Sequence, residues 1–229
     1  KGYKTLSVSN VDGHVMWNCY KASCKLRGAD KTSLTAEDIK RRLLGHDKRK
    51  PVFNMPEHLV SCKRSYPAME WLNSWGISEQ ERLLRYDILE HRVVFPVRHN
   101  HATVDATGRS IGKRMPKWKR YGKSALPFSH GSGKVAVVVE DCVSATIVGT
   151  SQRTGVALMG TSMSNEHTQY LSQFSTAIIA LDPDALPKAV EMCRNLRLYV
   201  DTVKVLKLND DLKYRNQEDF NNLENLQWN

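Results

Sequence analysis

The chain has 229 residues, enough for one large or two small domains. With 41% hydrophobic and 25% charged residues it is ordinary globular material, and no apolar run approaches bilayer-spanning length, so no membrane association is expected. Five cysteines follow no regular framework and no signal-peptide pattern is visible, which points to a reducing, cytoplasmic setting; a start at Lys1 suggests a processed or trimmed fragment.

The formal net charge of +10 is unevenly spread. Residues 1–134 hold 26 Lys and Arg against 12 Asp and Glu, whereas residues 135–229 hold 8 against 12. A basic half suits a phosphate backbone, or is simply a solvated surface; an acidic half suits a metal cation.

Residues 1–30 read as a small β-rich segment. Residues 3–11 alternate weakly, Asp12-Gly13 is a hairpin signal, and residues 14–19 return. Cys19 and Cys24, followed by Gly28, are spaced like one knuckle of a zinc ribbon. Tetrahedral zinc needs four N or S donors; His14 is a candidate third, and the alternative is two free thiols in a hairpin. Residues 31–55 form a linker. Within it Thr35-Ala-Glu37-Asp38 starts a helix that Gly45 ends, and His46-Asp-Lys-Arg-Lys50-Pro51 is a basic connector.

From Pro56 the pattern is helical. One helix over 66–72 stops at Gly76, and Ser78 starts a second running to Tyr86. Trp71, Leu72 and Trp75 are expected in the core, with base stacking the alternative for the two indoles. Residues 91–97 form a strand, placed at a sheet edge by Pro96. Gly108-Arg109-Ser110 follows, then residues 113–123, where six of eleven positions are Lys or Arg interleaved with Trp118 and Tyr121. Cations that hold phosphates beside rings that stack on bases fit a single-stranded nucleic acid or nucleotide track. Gly131-Ser-Gly133-Lys134 lacks the first Gly of a P-loop and has Val135 in place of Ser or Thr, so it reads as a flexible joint.

The second half alternates strands and helices. Val135-Ala-Val-Val-Val139 runs into Glu140 and Asp141, and Thr176-Ala-Ile-Ile-Ala-Leu181 runs into Asp182-Pro183-Asp184. Such continuous apolar runs are those of a parallel sheet covered on both faces, whose ligands sit beyond the carboxyl ends of the strands. Helices are expected over 143–152, from a Ser164 cap to Phe174, and over 187–197, with a last strand over 202–206. Gly160 is expected to allow close backbone approach. Tyr214, Phe220, Leu223 and Leu226 are spaced for a short amphipathic helix in the tail. Carboxylates gathered on one sheet edge repel unless a hard cation such as Mg²⁺ or Mn²⁺ holds them; alternatively, the aspartates merely end a strand in a turn.

Glu140, the run Gly160-Thr161-Ser162 leading to Asn165-Glu166-His167, and Asp182-Pro-Asp184 together resemble the Toprim domain of bacterial-type primases, topoisomerases and some nucleases. The resemblance implies general acid or base work for Glu140 and metal binding by Asp182 and Asp184. Asp210 and Asp211, after the last strand, are similar to a further acidic motif of primases. Three departures stand out: Asp141 replaces a Gly, Ser144 replaces an acidic residue, and Asp210-Asp211-Leu-Lys213 replaces Asp-Pro-Asp.

Ahead of that domain, Arg92-x-x-Phe-Pro96, Gly108-Arg109 and Pro116-Lys117-Trp118 are similar to the RNA polymerase domain of bacterial-type and phage primases. The resemblance implies template or nucleotide-phosphate contacts for Arg109 and Lys117, and for Arg92, Lys119 and Arg120. The expected fold is α/β: a Toprim parallel sheet flanked by helices at 134–211, preceded by a basic mixed α+β lobe at 56–133 and the zinc-ribbon-like segment, and followed by a tail at 212–229. The implied activity is synthesis of short RNA primers on single-stranded DNA from ribonucleoside triphosphates, with Mg²⁺ or Mn²⁺, Zn²⁺ if the ribbon is completed, and a replicative helicase as partner. A bacterial or phage-infected cell is the implied setting. The alternatives are a Toprim-type nuclease and a non-catalytic single-strand-binding module.

Overall fold

The computed structural model describes residues 6–11, 14–19, 24, 26–31 and 53–228. The chain divides into two compact units, Lys1–Val52 and Phe53–Asn229.

The first unit holds an antiparallel sheet of β1 (Leu6–Val11), β2 (His14–Cys19) and β3 (Arg27–Lys31), with β2 in the middle. Val11 pairs with His14 and Leu6 with Cys19, the register expected of the hairpin. The third strand had no sequence signal. Trp17 lies across Gly28, where a Cβ would stand 2.4 Å from the indole, so the close approach requires glycine. The helix expected at 35–44 and the connector at 46–51 lie outside the described residues.

The second unit is built on two five-stranded sheets. In the first, β4 (Leu59–Ser61), β5 (Arg85–Asp87), β6 (Arg92–His99), β7 (Ala102–Ser110) and β8 (Trp118–Arg120) are antiparallel and in chain order. Helix α1 (Tyr66–Ser74) starts at Ser65, whose hydroxyl accepts from the Ala68 N–H at 3.3 Å, and buries Ala68 and Leu72.

The helix expected over 78–86 is absent. A single 3-10 turn, Ser78–Gln80, gives way to β5, because Tyr86 and Asp87 are drawn into the ladder between β4 and β6 and pairing there overrides the local helix start. The edge position expected for the Pro96 strand is also corrected, since β6 is the central strand of its sheet. β5 pairs only Arg92–Val94 of β6, so Pro96 lies where that side of the strand has no ladder to interrupt.

The second sheet has the order β13 (Thr202–Val205), β12 (Thr176–Ile179), β10 (Val135–Val139), β11 (Arg153–Ala157), β9 (Phe128–His130). The first four are parallel and β9 is an antiparallel edge. Helices α2 (Cys142–Val148), α3 (Asn165–Leu171), α4 (Leu186–Leu196) and α5 (Gln217–Trp228) complete this half. Val137, Val139 and Ile178 pack with Val143, Val148 and Leu223, the α2 and α5 side. Ala136, Val138, Ala177 and Ile179 pack with Leu171, Ala189 and Leu196, the α3 and α4 side. Cover on both faces is why these strands are apolar without alternation.

α2 ends at Val148 rather than 152, and α3 at Leu171 rather than 174. The chain after α2 turns to meet residues 131–133: Ser132 N–H donates to the Thr150 carbonyl at 2.9 Å, and a Cβ on Gly133 would stand 1.8 Å from the Gln152 carbonyl carbon. The expected flexible joint is thus a tight backbone-to-backbone contact. Gly160, in contrast, meets nothing a Cβ would touch; its φ of 155° is what calls for glycine, correcting the expected close approach.

The apolar tail spacing places Phe220, Leu223 and Leu226 on α5, with Leu223 fully buried in the core that also contains Leu72 and Phe95. Tyr214 belongs instead to a preceding 3-10 turn, where its ring lies tilted at 49° with its centroid 5.8 Å from that of Trp75. Arg215 then donates to the Trp75 and Gly76 carbonyls, tying the tail to the end of α1.

Candidate active site

β10 leads through α2 to β11 on one side, and β11 leads through α3 across to β12 on the other. The order therefore reverses at β10, and the crevice beyond the carboxyl ends of β10 and β12 is the switch point where such sheets bind ligands. Glu140 and Asp141 follow β10; Asp182 and Asp184 follow β12.

Glu140 and Asp182 meet there. The Asp182 N–H donates to Glu140 Oε1 at 3.3 Å. Burial, followed by the Glu140 charge, pushes the Asp182 carboxyl up to about 6. Burial also raises Glu140, helped by the charges of Asp184 and Asp141, although the Asp182 N–H and Lys188 pull the other way. Asp184 is exposed in the 3-10 turn Pro183–Ala185. Lys188, on α4, donates to the Thr161 hydroxyl at 2.7 Å and lends Glu140 its positive field.

Asp141 caps α2: its Oδ1 accepts from Val143 and Ser144 N–H at 2.8 and 3.0 Å. The residue that departs from the expected Gly is thus a helix cap. Asp211 is buried, accepts from the Ser144 hydroxyl at 2.7 Å and pairs with Lys213, whose ammonium also stands 3.2 Å from Asp141. Asp210 is exposed; its N–H donates to buried Asp219, and its carboxylate accepts from Asp211 N–H.

The five basic candidates have distinct surroundings. Arg92 is fully buried, its Nε 3.0 Å from Glu90 and its Nη1 reaching the Gly108 and Lys117 carbonyls. It ties β6 to β7 and to the lead-in of β8 and has no surface to offer a phosphate, which corrects that expectation. Lys119 pairs with Glu90 and lies 5.2 Å from the Tyr121 ring centroid. Arg120 binds Asp105 at 2.6 Å, the Ser124 carbonyl and, at 3.5 Å, the Met159 sulfur. Lys117 is exposed. Arg109 lies 5.5 Å over the Trp118 ring, and its Nη1 is enclosed with no hydrogen-bond partner among the described residues. Burial lowers its pKa while the Asp141 charge opposes that, so the two halves of the unit meet electrostatically at this guanidinium.

Solved structures bear on this arrangement. The zinc-binding and RNA polymerase domains of the Aquifex aeolicus primase align over 96% of this chain and 80% of theirs, at 16% identity and a TM-score of 0.55. The chain has the fold of a bacterial primase core. An E. coli primase catalytic core aligns with 67% of the chain and 63% of its own length at 19% identity and a TM-score of 0.48. A primase catalytic domain bound to single-stranded DNA aligns over 82% and 79% at 17% identity and a TM-score of 0.48. The assignment rests on the Aquifex protein alone. Neither protein-family models nor curated proteins give a sequence match.

Against the primase fold, the donor sets can be tested for metal. Glu140, Asp182 and Asp184 are hard oxygen donors at adjacent strand ends, and burial, with neighbouring carboxylate charge adding to it, makes Glu140 and Asp182 hold their protons more tightly than usual. They fit Mg²⁺ or Mn²⁺ in the kind of donor they offer, while among the described residues no three acidic, His or Cys side chains converge on one point. The Cys19 N–H donates to the Leu26 carbonyl at 2.9 Å, and Cys19 and Cys24 are the two sulfur donors in this segment. Two sulfurs are half of a tetrahedral zinc set and do not fit zinc on their own. Among the described residues no helix is long and apolar enough to cross a membrane.

Signals for Asp141 and Ser144 were visible only as departures from a family pattern. Lys188 and Lys213 carried no sequence signal, because each reaches the site from another element.

Proposed function

We propose that this chain is a primase catalytic core with a Toprim-type active site, joining ribonucleotides into short primers on a single-stranded DNA template. The observation that carries this reading is the contact of Glu140 with Asp182 across the switch point, in a chain with the primase fold.

The 3′ hydroxyl of the growing primer attacks the α-phosphate of the incoming triphosphate. A P–O bond forms, the α–β bridging bond breaks, and pyrophosphate leaves with the electron pair. Glu140, with its raised proton affinity, takes the hydroxyl proton. Asp182, Asp184 and Glu140 are the residues that would hold a divalent cation, which when bound would neutralise the charge that builds on the attacked phosphate. Arg109, half-buried beside Trp118, holds a phosphate of template or nucleotide through its exposed part, and exposed Lys117 adds a screened contact to the backbone. Arg120 braces the loop carrying Met159 and Gly160 against the basic lobe. A replicative helicase as partner is carried over from the sequence resemblance.

The test is primer synthesis on mixed-sequence single-stranded DNA with labelled ribonucleotides and Mg²⁺ or Mn²⁺, comparing the chain with Asp182→Ala. Short labelled oligoribonucleotides that vanish in the variant support the reading. Strand cleavage without triphosphates favours a nuclease; salt-steep binding without product favours a binding module.

A further inference from the structure

The carboxylates around the switch point fall into two groups. Asp141 and Asp211 are saturated by the protein: Asp141 Oδ1 caps α2, Asp211 Oδ1 takes the Ser144 hydroxyl and the Lys213 N–H, and the second oxygen of each faces the Lys213 ammonium. That ammonium is held in place, with a side chain only 14% exposed and the Tyr214 ring centroid 5.3 Å away. Glu140, Asp182 and Asp184 form no ion pair among the described residues, although the Lys213 charge reaches Asp182 and the Lys188 charge reaches Glu140. Among its described contacts Glu140 accepts only the Asp182 N–H, and Lys188 donates to Thr161.

We propose that Lys213 is a resident cation of this site: its ammonium stands where a second divalent ion would otherwise be needed, so the chain binds one divalent ion, at Glu140, Asp182 and Asp184. This rests on the metal reading above. The charges are consistent with it. Two carboxylates with one ammonium leave a net charge of about −1, and three carboxylates with one divalent ion leave the same, so each group reaches near-balance with a single cation. Ser144 completes the arrangement: a hydroxyl donates to Asp211, whereas a carboxylate there would add a charge that one ammonium could not offset.

The experiment is a Mn²⁺ titration of the full chain followed by the electron paramagnetic resonance of free Mn²⁺, which counts bound ions without any turnover. The unaltered chain is expected to bind one ion, Asp211→Asn to keep it, and Lys213→Arg to keep it. Lys213→Met, shown folded by circular dichroism, is expected to bind two, because two enclosed carboxylates lose their counter-ion. Two ions on the unaltered chain overturn the proposal while leaving the metal reading intact, and no ion overturns both. Loss of the ion in Asp211→Asn, or a folded Lys213→Met that still binds one, also overturns it. Should Lys213→Met fail to fold, the counts for the unaltered chain and Asp211→Asn decide.

Discussion

Ser144 donates its hydroxyl to Asp211 at 2.7 Å, across 67 residues of sequence. The bond joins the first turn of α2 to the segment after β13, and both residues are buried. Ser144→Ala leaves a buried carboxylate oxygen one donor short, which costs roughly 1–3 kcal/mol. Denaturant unfolding measures it, and a variant as stable as the parent would mean the bond contributes nothing.

Stability should depend on pH through Asp182. Its carboxyl holds a proton up to about pH 6 when folded, against 3.8 for the ordinary group, so between those values the folded state binds more protons than the unfolded one. Stability contributed by this group is then present at low pH and lost as pH rises from about 4 to about 6. In metal-free buffer the thermal midpoint of Asp182→Asn should fall less over that window than the parent's. Added Mg²⁺ should raise the parent's midpoint near neutral pH and do little for the variant. Parallel pH profiles would remove Asp182 from the explanation.

Two basic residues should separate structure from binding. Lys117→Ala should leave the melting curve unchanged, weaken single-stranded DNA binding, and lower the salt slope by about one counterion or slightly less. Arg92→Ala should destabilise the fold by about 3 kcal/mol or more, since Glu90 and two carbonyls lose an enclosed donor group. Fluorescence anisotropy at several salt concentrations, with thermal melts alongside, distinguishes them. A stable Arg92→Ala that has lost only DNA affinity would reverse the assignment.

Gly133→Ala places a methyl group against the Gln152 backbone, where neither segment can withdraw without breaking the Ser132–Thr150 and Thr154–Gly133 hydrogen bonds. A cost of about 3 kcal/mol, or failure to fold, is expected. Gly112→Ala, which meets nothing, is the matched control and should melt with the parent.

Much of the second half was legible in the residue pattern. Buried parallel strands must be apolar on both faces, so β10 and β12 announce themselves, and Ser164 and the Pro near the start of α4 mark helix starts by local hydrogen-bond chemistry. β5 was not legible. Its three residues follow a local helix signal at Ser78 and become a strand only because β4 and β6 offer ladders on either side.

What the residues determined by themselves is therefore local and additive: strand and helix periods, caps, the placing of Glu140 and Asp182 at strand ends, and the basic run from 113 to 123. What only the tertiary structure decided is which charges are already spent. Arg92, Lys119 and Arg120 look alike in a sequence, but Arg92 is fully enclosed and paired with Glu90, while Lys119 and Arg120 are partly exposed and paired with Glu90 and Asp105. Lys213 reaches Asp141 from 72 residues away. Pairing energies depend on separation and burial, and neither quantity exists until the chain has folded.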